Sequence, residues 1–258
     1  MSERIQQVKK EIRDKDLDPP FREVLESSGF KEGIKVLRSN PGKVVRTKFL
    51  FSRMPERHGE QIRDIKRSMD MFSTLHRHYG IALPKADLII GMEDGLKKCF
   101  FVVDRIQGKN LSEMGLVPFE AEPKLIAFYA GLAKHYVDTA YRGGDYWNDS
   151  GNHQIVWGHP IGKEENDIYL VDLDQSYTEY TKGKSGNMRL LREFRDVIFE
   201  MIDVGSKFAS TARFSELKNF LITIEAVWRN RGSAENKDDF KLFSEKLESF
   251  MSKNILYD

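Results

Sequence analysis

The chain of 258 residues contains one cysteine, Cys99. A single thiol cannot close an internal disulfide, so a reducing compartment, the cytoplasm, is the expected location. No stretch approaches the roughly 18 uncharged apolar residues that a membrane span requires. The opening segment MSERIQQVKKEIRDKD lacks the apolar core of a signal peptide. Charge of one sign is missing as well: Lys+Arg 41 against Asp+Glu 40 leaves +1, which gives no electrostatic reason to expect bulk nucleic-acid binding. Internal repeats and low-complexity tracts are absent. With 40% hydrophobic residues and almost no net charge, intrinsic disorder is excluded too. What remains is a globular chain long enough for one large domain or two lobes.

The apolar spacing changes character along the chain. Ile5, Val8 and Ile12 predict a charged amphipathic helix over 3–15, stopped by Pro19 and Pro20. Short β-rich runs predict strands near 21–26, 33–39 and 43–51, with Asn40-Pro41-Gly42 as the turn between the last two. Ile62, Ile65, Met69, Phe72 and Leu75 predict a helix over 57–79, closed by Tyr79-Gly80 and Pro84. Strands ADLIIGM and LKKCFFVVDRI follow across Glu93-Asp94-Gly95, a good hairpin turn. Beyond Gln107-Gly108 the pattern is mostly helical. LSEMG is a short turn or helix. EPKLIAFYAGLAKHYVDTAYR is a strong helix whose Phe128, Tyr129 and Tyr136 fall at core spacing. The cluster GGDYWNDSGN reads as a loop. Strands HQIVWG and DIYLVDL flank GKEEND, and three helices follow over 187–207, 213–230 and 237–253. The fold class is therefore α+β.

Several residues stand out chemically. Lys48 lies in the strand run VVRTKFLF, where a lysine serves either a ligand or a solvated face. Gly29 and Gly33, in SSGFKEGIKV, allow close backbone approach or simply make a turn. Asp145 shares its loop with Asn148, Asp149, Ser150 and Asn152; turns favour Asn and Asp on their own account, but Trp147 is unusual in a plain solvated turn. Asp172 continues the face of Ile168 and Leu170, where a carboxylate is costly unless it is paired or binds a metal. If the strand has already ended, Asp172 and Asp174 are both exposed. His135 reads as a helix residue, with no second His or Cys at ligand spacing.

In this order the features resemble the protein kinase-like superfamily, nearest its aminoglycoside phosphotransferase and RIO-like branch: a glycine-bearing hairpin, a strand lysine, an acid-bearing helix, an apolar strand running into a linker, a long helix, a loop Asp with Asn, and a strand-end Asp. The resemblance covers about residues 21–180. It implies a two-lobed fold: a helical extension at 1–18, a small antiparallel β-sheet N-lobe with one helix at 19–106, and a mostly helical C-lobe at 107–258. It implies ATP and Mg²⁺ as ligands and transfer of a phosphoryl group to a hydroxyl. Ser28-Gly29-Phe30-Lys31-Glu32-Gly33 is similar to the phosphate-covering loop. Lys48 is similar to the phosphate-holding lysine of V-A-I-K, with Asp70 as its acid partner and Glu60 and Asp64 as competitors. FFVVDRIQGKNL resembles the hinge, with Val103 as gatekeeper and backbone groups of Asp104 and Ile106 on adenine. Asp145 is similar to the catalytic Asp; Gly143 stands where the family has His. Asn152 or Asn148 takes the place of the metal-binding Asn, and IYLVDLDQS matches the strand-end metal motif through Asp172, with Asp174 as a second ligand. No A-P-E motif or long activation segment follows, which favours a small-molecule or atypical acceptor over a regulated protein kinase. The same pattern admits a nucleotide-binding pseudokinase or scaffold module, or an AMP transferase. An α+β interaction protein without a nucleotide site is the reading outside the family.

Overall fold

Runs of β-branched and aromatic residues, punctuated by Gly, Pro and Asn, build the first sheet. The computed structural model describes residues 17–18, 34–37, 40–50, 58–93, 96–148, 151–171, 177–179, 184–209, 212–231 and 237–255. The expected helix at 3–15, the strand at 21–26, Gly29, Gly33, Asp172 and Asp174 lie outside these residues. Two compact units form. The first takes Met1–Arg67, Pro84–Gln107 and His159–Glu165; the second takes Ser68–Leu83, Gly108–Gly158 and Asn166–Asp258. The fold is α+β, with small antiparallel sheets and several helices. Among the described residues, no helix is long and apolar enough to cross a membrane.

The first unit holds a sheet of β1 (Leu17–Asp18), β2 (Ile34–Leu37), β3 (Asn40–Leu50), β4 (Ala86–Glu93) and β5 (Leu96–Asp104). The order is β1-β2-β3-β5-β4, antiparallel throughout. The expected hairpin pairs Glu93 with Leu96. Asn40-Pro41-Gly42, expected as a turn, instead lies inside β3. Asn40 Oδ1 accepts the Gly42 N–H at 3.1 Å, and the register shifts between Val36 and Leu37. The turn-forming tendency of Asn is spent on a bulge rather than on reversing the chain. A second irregularity falls at Lys48: Thr47 pairs with Phe100 and Phe49 with Cys99, leaving Lys48 out of register. The extended segment after Asp104 is also regular. It forms β6 (Ile106–Asn110), where the sequence suggested a plain linker.

The second unit is built around a buried helix. α1 (His58–Tyr79) ends in it; Gly80 takes φ +67 and the Ile81 N–H reaches the Leu75 carbonyl at 3.3 Å, a left-handed helix stop. α2 (Ala121–Arg142) is covered on nearly all sides, as its apolar content requires. Gly131 on α2 meets the end of α1 so closely that a Cβ there would lie 2.2 Å from the Tyr79 carbonyl oxygen. α3 (Lys184–Gly205), α4 (Ala212–Arg231) and α5 (Lys237–Ile255) pack around α2. Aromatic contacts run from Tyr136 to Phe194, Trp228 and Phe240. Glu225 on α4 binds Arg229 at 2.9 Å and Arg195 of α3 at 3.2 Å.

Four short strands in two pairs complete the chemistry-bearing part. β7 (Asp145–Trp147) pairs antiparallel with β10 (Tyr177–Glu179), with Asp145 opposite Glu179. β8 (Ile155–Pro160) and β9 (Asp167–Leu170) form the hairpin, Ile155 opposite Leu170. Residues 152–154 form a 3₁₀ turn, so the strand expected from His153 begins at Ile155.

Candidate functional site

The second unit gathers the segments that carry the acidic and amide candidates. α2 stops when the Gly143 N–H donates to the Thr139 carbonyl at 2.8 Å. Gly143 then adopts φ +82, ψ −178, and Gly144 adopts φ +118. These conformations are almost confined to glycine. A histidine at 143, as in the resembled family, would be strained in this backbone. The glycine pair turns the chain from helix into β7 and sets Asp145, half-buried, as the first residue of that strand.

Beneath β7 lies the polar face of α2. Trp147 is fully buried, which accounts for its presence in a segment rich in turn residues. Its backbone is held twice by α2. The Trp147 N–H donates to His135 Nε2 at 3.4 Å, and its carbonyl accepts from the Tyr136 hydroxyl. Accepting at Nε2 puts the His135 proton on Nδ1. Burial pushes the His135 pKa down to about 4; the Asp138 and Asp145 carboxylates pull it back only in part. Next to it, Lys134 Nζ meets Asp138 Oδ2 at 2.7 Å, and the same oxygen accepts from the Tyr79 hydroxyl at 3.2 Å. Burial, then the Asp138 charge, raises the Tyr79 pKa.

The turn after Asp145 is fixed from two helices. Asn152 is buried; its Oδ1 accepts from the Tyr129 hydroxyl of α2 at 2.7 Å. Its Nδ2 donates to the Glu200 carbonyl of α3 at 3.2 Å, and its N–H donates to the Glu200 carboxylate at 3.2 Å. Burial raises the pKa of Glu200, with Asp203 and Asp196 adding to the effect and the Asn152 N–H and His153 opposing it. The Val171 N–H, immediately before Asp172, donates to the Gln154 carbonyl at 2.9 Å. Ile168 and Leu170, whose face Asp172 was expected to continue, are buried.

Of the remaining expected site residues, Asp104 and Ile106 belong to the first unit, and Asp70 and Asn148 to the second. Asp104 donates its N–H to the Lys85 carbonyl at 2.9 Å and pairs its carboxylate with Lys43 at 2.5 Å. Arg105, between Asp104 and Ile106, is tied through its N–H to the Gly42 carbonyl at 2.8 Å. Val103, opposite Val44 and Ala86, is buried. Asp70 is exposed on α1, and Asn148 is half-buried just after β7. Among the described residues, no group of three or more His, Cys, Asp or Glu side chains is arranged to hold a metal ion.

Tyr129, His135, Tyr136 and Glu200 were not read as site residues from sequence. The available signal was the choice of Tyr over Phe at two core positions, since a buried phenol needs a hydrogen-bond partner. No family model matches the chain, and no curated protein matches it significantly.

Proposed function

We propose that this protein is an ATP- and Mg²⁺-dependent phosphotransferase of the protein kinase-like fold, acting on a hydroxyl of a small-molecule or atypical acceptor. The observation that carries the reading is the Val171 N–H to Gln154 carbonyl bond at 2.9 Å. It ties the strand leading into Asp172 to the turn that holds Asn152, the two segments expected to carry metal ligands. Two features support it. One is the five-stranded antiparallel sheet with a helix between its third and fourth strands in sequence. The other is the Asp145 strand at the end of a buried helix, followed by a hairpin.

Mg²⁺ takes hard oxygen donors. Asn152 fits as one: donation by Nδ2 fixes the orientation of its amide, and the Tyr129 hydroxyl uses one of two Oδ1 lone pairs. Asp172 and Asp174 supply the carboxylates. When bound there, Mg²⁺ neutralises charge on the triphosphate. In this reading Lys48, paired with Asp70, holds the α- and β-phosphates. The loop containing Gly29 and Gly33 covers them. Adenine meets the Asp104 carbonyl, because the Asp104 N–H is already used, and the Ile106 N–H. Asp145 orients the acceptor hydroxyl and takes its proton. The acceptor oxygen bonds to the γ-phosphorus as the bond to the bridging oxygen breaks, and ADP leaves with that electron pair.

The test is thermal denaturation with ATP, with and without Mg²⁺. A ligand at a hundred times its Kd stabilises by about 2.7 kcal/mol. Asp172→Ala should remove the Mg²⁺-dependent part, and Lys48→Met should weaken nucleotide affinity. Asp145→Asn should retain binding while slowing transfer by about 10²–10⁴-fold. An unchanged melting midpoint with ATP–Mg²⁺ would refute the proposal. One observation favours a second reading, a nucleotide-binding module without turnover: every polar group of the Asn152 amide already has a protein partner. ATP binding with no product formed would select it.

A further inference from the structure

We propose that α2 is the alignment element of the site, with Tyr136 and His135 positioning the Asp145 strand and Tyr129 positioning the Asn152 turn. This rests on the phosphotransfer reading above. Trp147 stands opposite Tyr177 of β10. Its N–H and carbonyl nevertheless end on His135 and Tyr136, two successive residues of α2. In an antiparallel pair both backbone groups of one residue point to the same edge, so β7 is held by β10 on one edge and by α2 side chains on the other. Asp145 lies two residues before Trp147, and the strand period of two puts it on the same edge and the same face. Its place therefore follows that of Trp147.

Tyr129 stands seven residues before Tyr136, two helical turns and about 10 Å along the axis on one face of α2. Its hydroxyl donates to Asn152 at 2.7 Å. One rigid helix thus fixes the separation between the proton acceptor and the amide ligand. Both tyrosines are buried, at 2% and 0% exposure, so a phenylalanine would fill either place equally well as an apolar group. The hydroxyls are explained by what they hold. The Gly143 conformation would strain a loop histidine, and His135 meets the strand from the helix below it instead. Among the described residues, Lys134, Tyr136 and Asp138 of α2, Tyr79 of α1 and Asp145 of β7 are charged or titratable groups near His135.

The experiment compares full-length wild type, Tyr136→Phe and Tyr129→Phe. Hydrolysis of ATP, with water as acceptor, gives kcat and KM, and calorimetry gives the Mg²⁺ dependence of ATP binding. Tyr136→Phe should lower kcat by about 10–100-fold with KM for ATP nearly unchanged, since small misplacements of a reacting group cost that much. Tyr129→Phe should raise the Mg²⁺ concentration needed for half-maximal ATP binding several-fold. A purely structural role would not separate the two effects. If Tyr136→Phe does not fold, His135→Gln tests the same anchor and should show the same loss of kcat. An active wild type whose variants are unchanged, or lose kcat and affinity in equal proportion, overturns this inference alone. A wild type that binds ATP–Mg²⁺ without hydrolysing it overturns the role of Asp145 and with it that of Tyr136. No binding at all overturns the phosphotransfer reading as well.

Discussion

Acid should destabilise the second unit through His135. The side chain is 3% exposed and keeps its imidazole neutral, with a pKa near 4 against 6.5 when unfolded. The difference of about 2.5 units corresponds to about 3 kcal/mol at full protonation. The sign follows from proton uptake. Between these two values the unfolded chain binds the proton and the folded chain does not. The contribution is therefore fully present above pH 6.5 and is lost as pH falls toward 4. From about pH 7.5 to about pH 5 the expected loss is about 2 kcal/mol from this one residue. Urea denaturation followed by tryptophan emission is the assay. All three tryptophans, Trp147, Trp157 and Trp228, are buried and belong to the second unit, so the signal reports on it. Other groups also titrate in this window, so the decisive quantity is the difference between wild type and His135→Gln. The variant should lose about 2 kcal/mol less than wild type over that interval. Parallel pH profiles for the two proteins would show that His135 is protonated in the folded state or lies open to water.

Lys134→Met should cost about 3–5 kcal/mol of unfolding free energy, because it strands the Asp138 carboxylate in the interior with only the Tyr79 hydroxyl. The double variant Lys134→Met/Asp138→Leu should recover most of this in the same urea titration; no recovery would mean that the pair is not the cause. Gly131→Ala should lower stability by about 1–3 kcal/mol despite the better helix propensity of alanine, because its Cβ would strike the Tyr79 carbonyl. Gly115→Ala, where a Cβ meets nothing within 4 Å, serves as the calorimetric control and should be close to neutral.

Long periodic segments were legible because burial imposes a period. α1 and α2 begin and end within a residue of the expected bounds, and Phe128, Tyr129 and Tyr136 are buried as their spacing required. The β4–β5 hairpin was equally plain, since Asp-Gly fixes a tight connection. β7 was not legible. Three residues carry no period, and its partner β10 lies some thirty residues further along the chain, so neither local pattern nor turn chemistry announces the pairing. β6 was hidden for a related reason: Gln107, Gly108 and Lys109 are exposed, so nothing apolar marks them as a strand. At the candidate site, Asp145 and Asn152 were visible as residue types. The tyrosine hydroxyls that hold the surrounding backbone were not, because Tyr and Phe look alike to a hydrophobic pattern. Gly143 read as a departure from the resembled family, and only its backbone angles give the reason.

Gly144 offers a distinction of its own. With φ +118 and open space where an L-residue's Cβ would sit, the position discriminates by handedness and not by size. No search among the natural L-amino acids can relieve that demand, however small or polar the side chain tried. A chemically synthesised segment carrying a mirror-image alanine is the kind of replacement this corner of the chain is shaped to tolerate.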